Sequence, residues 1–90
     1  MASMDHGLPA AVAGGTLREA RVMWTFVPND DGDSIDFMWD IGHKVSAHSN
    51  GQLIADWFVG DPNKATTSRR TVENSIKRFL VENGNARKVS

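Results

Sequence analysis

One seven-residue stretch constrains this chain more than any other. Ile35-Asp-Phe-Met-Trp-Asp-Ile41 alternates apolar and polar residues almost without exception. A period of two puts Ile35, Phe37, Trp39 and Ile41 on one side of an extended backbone and Asp36, Met38 and Asp40 on the other. A helix would scatter the same residues around its circumference, so the segment reads as a β-strand with one face toward a core. Two neighbouring segments read alike. Val22, Trp24 and Phe26 alternate with Met23, Thr25 and Val27, and Leu53, Ala55, Trp57 and Val59 alternate with Ile54, Asp56 and Phe58. Lys44–His48 is a fourth, weaker strand. Ser49-Asn-Gly51 supplies residues that tolerate positive φ in a tight hairpin turn.

The period changes after Pro62. Ser68 has the chemistry of a helix N-cap, and Val72, Ile76, Phe79 and Leu80 follow at i, i+4, i+7 and i+8, a core-facing helical stripe. Gly84 stands where a C-capping glycine belongs. The fold class expected is therefore α+β: a four-stranded antiparallel meander with one C-terminal amphipathic helix packed on one face. The expected core is Val22, Trp24, Phe26, Ile35, Phe37, Trp39, Ile41, Leu53, Trp57, Val72, Ile76, Phe79 and Leu80. Residues 1–15, small and aperiodic, read as a disordered leader, 16–84 as the single domain and 85–90 as a basic tail. Thr16-Leu-Arg-Glu19 has the spacing of a capping box and allows one helical turn there.

Ninety residues without cysteine leave no disulfide, no thiolate metal ligand and no cysteine nucleophile. A chain this short must be held by its apolar core or by a partner. The formal net charge is −1, but it is unevenly spread. Residues 1–63 hold three cations against nine carboxylates; residues 64–90 hold seven against two. No apolar run approaches the roughly 20 residues of a membrane span, and no signal-peptide pattern opens the chain. The expectation is a cytoplasmic protein with no membrane partner.

No phosphate-binding loop, dinucleotide fingerprint or spaced Ser, His and Asp set is present, so nothing points to an enzyme or a cofactor. The acidic run Asn29-Asp-Asp-Gly-Asp33 fails the calcium-loop spacing, because counting back from Gly32 puts Val27 at the first ligand position. It reads as a polar hairpin loop. His43 and His48 lack the spacing of a zinc pair, and strand parity separates Asp40 from His43.

What remains is surface. One helix covers one side of a sheet, yet Met23, Val27, Met38, Ile54 and Phe58 fall on the other. An apolar second face with no layer left to cover it marks a protein contact, and a two-fold homodimer is its commonest form. The leading expectation is a small non-catalytic binding or regulatory module acting as a homo-oligomer through that face; Asp36 and Asp56, on the same face, either rim the contact or argue against it.

A second expectation is nucleic-acid binding. The helix face opposite the core stripe holds Arg70, Asn74, Lys77 and Arg78, continued by Arg87 and Lys88. Glu73 before Lys77 and Arg78 before Glu82 favour intrahelical pairing, and no aromatic interleaves these cations, which removes the stacking expected of single-strand binders. The segment from Gln52 to Gly84 resembles the last two helices of a winged helix-turn-helix regulator in Ser68, Thr71, Val72, Ile76, Leu80 and Gly84. That resemblance implies a helix over 52–59, a recognition helix from Ser68 and DNA as partner. A third expectation is a small-ligand site between helix and sheet, lined by Trp24, Trp39 and Trp57.

Overall fold

The structure, a computed structural model, describes the backbone of residues 10–89 and the side chains of residues 11–83. Six strands form one antiparallel sheet: β1 (Ala10–Val12), β2 (Gly15–Ala20), β3 (Met23–Pro28), β4 (Ile35–Trp39), β5 (Lys44–Ser49) and β6 (Gln52–Phe58). They lie in chain order, so every strand pairs with its sequence neighbours. Helix α1 (Arg69–Val89) follows and covers one face. The α+β class is as expected; the strand count is six rather than four.

The two additional strands fall where the sequence looked least structured. Residues 1–9 of the expected leader lie outside the described residues, but Ala10–Val12 pair with Gly15–Leu17 as a hairpin. Thr16–Glu19 are strand, not helical turn, and Leu17 brings one buried side chain to the core. Gly15 is required by close approach: a Cβ there would meet the Phe26 ring and the Val27 carbonyl oxygen at 2.5 Å each. The β5–β6 turn is the expected one. Asn50 and Gly51 take φ of 54° and 79° between the paired Ser49 and Gln52, the two positive values of a type I′ hairpin.

Alternation carries the inner face. Trp24, Phe26, Ile35, Phe37, Trp39, Val45 and Ala47 are buried beneath Val72, Ile76 and Leu80 of α1. Aromatic contacts knit the layers. The Phe37 ring meets Phe79 edge-on at 5.6 Å, and Trp57 stacks on Phe79 at 5.0 Å. Leu17, Val45, Ala47 and Val59 join the core beyond the expected set. Two expected members leave it. Ile41 is 59% exposed because β4 ends at Trp39 and Ile41 stands in the following turn at φ 69°. Leu53 is 57% exposed because a bulge beside Ala47 and His48 makes Ala55 the partner of Ala47 but Leu53 the partner of His48. The extra residue, Ile54, shifts the parity, and Leu53 changes sides.

The helix begins as expected. The Thr71 N–H donates to Ser68 Oγ at 3.2 Å, and the Val72 N–H to the Ser68 carbonyl at 3.1 Å. It does not end at Gly84: the helical backbone runs on to Val89, through most of the expected tail. Because Gln52–Phe58 is a strand, no helix precedes the turn before α1. The helix-turn-helix pair that the winged-helix resemblance implied is replaced by β6 followed by α1.

Candidate interaction surface

The sheet presents its second face to solvent. Met23, Val27, Met38, Ile54 and Phe58 stand there, with exposures from 37% at Met23 to 79% at Phe58, and the bulge adds Leu53. Register organises them. Met23 is directly opposite Met38, and the same row continues through Ser46 to Asp56. Val27 lies opposite Thr16, and Phe58 opposite Lys44. A shallow depression of about 390 Å³ sits among Met38, Lys44, Ser46, Leu53 and Asp56.

The polar groups on this face find partners within it. The Thr25 hydroxyl donates to Asp36 Oδ1 at 3.0 Å across the β3–β4 pair. The Lys44 ammonium lies 3.7 Å from Asp56 Oδ2. His48 Nε2 and Ser46 Oγ are 3.1 Å apart. Asp36 lies mid-face between Thr25 and His48 rather than at a rim; it and Asp56 have local partners, and burying them would cost less than burying bare charges.

On the opposite side, β6 and α1 flank an open groove of about 580 Å³. Trp57, Phe58, Val59 and Phe79 form its apolar lining, with Asn74, Arg78 and Glu82 along the helix wall. The Trp57 indole N–H donates to Ser75 Oγ at 3.1 Å, and that hydroxyl donates to the Val72 carbonyl at 2.7 Å, tying strand to helix. Of the three tryptophans proposed to line a ligand site, Trp57 lines this groove. Trp24 and Trp39 are buried core, with ring centroids 6.5 Å apart.

The residues of the expected basic face recur at helical spacing along α1. Arg70, Asn74 and Arg78 are exposed, and Lys77 pairs with Glu73 at 3.2 Å as the spacing predicts. Arg87 and Lys88 continue the helical backbone, and their side chains lie outside the described residues. Folding adds Trp57 to Phe79, Arg78 and Asn74 of the helix, since all four line the groove.

Two residues absent from the expected sites organise the far end of the sheet. The Arg69 guanidinium lies over the rings of Trp24 and Trp39, 5.6 and 5.8 Å from their centroids. It also donates to Glu19 Oε2 at 2.5 Å and to the Arg21 carbonyl. The first residue of α1 is thereby fastened to the β2–β3 turn. An arginine bordering a helical stripe carries no sequence signal for that role. His43 stands in the β4–β5 turn, where strand parity does not apply, and contacts the segment between β6 and α1. Asp40 folds back over the same turn, accepting the Gly42 and Lys44 N–H groups at 2.7 and 3.1 Å. The Lys44 bond first, then that of Gly42, holds its carboxyl below the usual carboxylate range.

Among the described residues no three His, Asp or Glu side chains gather as a metal site, and no helix is long and apolar enough to cross a membrane. Comparison of the chain with protein-family models, with curated proteins and with solved structures gives no match.

Proposed function

We propose that this chain is a small non-catalytic interaction module that works as a homodimer through the open face of its sheet. The observation that carries the reading is the apolar set Met23, Val27, Met38, Ile54 and Phe58 on the face that α1 does not cover. Met23 and Met38 are neighbours across β3 and β4, and apolar side chains gathered on an uncovered sheet face are typical of protein contacts. A two-fold copy is the simplest occupant, because one surface then serves both partners. The local partners of Asp36 and Asp56 lower the electrostatic cost of burying that face.

Sedimentation velocity from low to high micromolar concentration tests the proposal. The expected result is a species of about twice the 9.9 kDa chain mass, dissociating on dilution. A double variant, Met38→Glu with Phe58→Glu, should sediment as a monomer while keeping the wild-type circular dichroism. A wild-type mass fixed at one chain throughout the range would overturn the reading.

A second reading, binding of single-stranded nucleic acid, is favoured by the groove's juxtaposition of Trp57 and Phe79 with Asn74 and Arg78. Its signature is affinity that falls steeply with salt and is lost in Arg70→Ala/Arg78→Ala. Absence of binding to labelled oligonucleotides at low salt would remove it.

A further inference from the structure

Both ring nitrogens of His43 meet backbone carbonyl oxygens of the segment joining β6 to α1. Nδ1 lies 2.8 Å from the Val59 oxygen and Nε2 lies 2.6 Å from the Lys64 oxygen. A carbonyl oxygen only accepts hydrogen bonds. Neutral imidazole carries one N–H, so it can satisfy one of these oxygens and must turn a lone pair toward the other. The imidazolium donates to both.

The two oxygens differ in how firmly they are held. Val59 is buried, and its N–H donates to the His43 carbonyl at 2.7 Å. Lys64 is exposed in a turn, where its N–H donates to the Asp61 carbonyl at 3.0 Å. Asp61 Oδ1 accepts the Asn63 N–H at 2.9 Å, and the Thr66 hydroxyl donates to the Ile41 carbonyl. The charged groups around the ring are Asp40 on its own turn and Asp61 on the linking segment, both favouring the cation. Lys44 and Lys64 are the cationic neighbours along the chain. No acid or base of β6 enters this set; its ionisable residue, Asp56, pairs with Lys44.

We propose that His43 is a proton-operated latch on the β6–α1 connection: the imidazolium holds the Lys64 and Val59 carbonyls together, and loss of the proton frees the Lys64 end. The same residues accommodate the charged ring. Its pKa is raised, first by the Lys64 carbonyl bond and then by that of Val59. The linkage has a definite sign. The latch's contribution is complete below the ordinary imidazole value of about 6.5 and is lost as pH rises through the raised value. Val59 and Gly60, at the end of the latched segment that stays held, also line the groove beside α1.

A pH titration of the ¹⁵N-labelled full chain by NMR tests this. The expected result is that His43 titrates at higher pH than a free imidazole and that the amide signals of 61–66 shift with the same midpoint. His43→Gln presents one donor nitrogen and one acceptor oxygen in place of two donor nitrogens, so its 61–66 amides should resemble the high-pH wild-type state at every pH. Asp61→Asn should lower the His43 midpoint. The wild-type titration stands even if a variant fails to fold. A His43 midpoint at or below the free value, or 61–66 signals indifferent to that midpoint, would overturn the latch.

Discussion

The two faces of this sheet come from the same strands and the same period-two pattern, yet they have opposite fates. On the inner face Trp24, Phe37, Val45 and Ala47 lie beneath Val72 and Ile76. On the outer face Met23, Met38 and Phe58 meet water. The residue types overlap, so hydrophobicity alone does not separate them. A neighbouring layer does. An alternating strand specifies that its two sides differ, but only the number of remaining elements decides which side is covered. Among the described residues one helix serves six strands, and it goes to the aromatic-rich side.

The contrast can be broken from within the core first. Phe37→Ala removes a fully buried ring that contacts both Trp57 and Phe79, and should cost roughly 3–5 kcal/mol, read as a lower urea midpoint. Gly15→Ala drives a methyl group into the Phe26 ring and the Val27 carbonyl, and should cost about 1–3 kcal/mol by the same measurement. Ser68→Ala deletes the N-cap bond to the Thr71 N–H and should cost about 1 kcal/mol, with part of the helical circular dichroism lost. On the outer face Met38→Ser should change the unfolding free energy of the isolated chain by no more than about 0.5 kcal/mol. Its effect should appear in the dependence of thermal unfolding on protein concentration. If Met38→Ser destabilises the dilute chain as much as a core truncation, the outer face is not an uncovered surface and the contrast fails.

How much of this was readable before folding depended on how local the cause was. The alternation of Ile35–Trp39, the Asn50-Gly51 turn, the Ser68 cap and the Val72/Ile76/Leu80 stripe are set by nearest neighbours, and each stands where the residues predict. β1 and β2 were missed because alanines and glycines carry little periodic signal, and β2 buries few large side chains. Leu53 changed faces through a bulge whose partner strand lies across the hairpin, and Ile41 through a turn that cut the alternation short. Of the candidate surface, the outward set was legible from strand parity. The groove beside α1, the Arg69 anchor and the His43 contacts were not, because each joins residues at least 16 positions apart.

The order of the strands has a consequence for the birth of the molecule. A meander in which each strand pairs with the one before can zip up as it leaves the ribosome, hairpin by hairpin, with little loop entropy to overcome. The covering helix, however, emerges after all six strands. Until α1 docks, the nascent sheet is bare on both sides, so chains truncated before Arg69 should accumulate as aggregates, with the bare aromatic-rich side the stickier of the two.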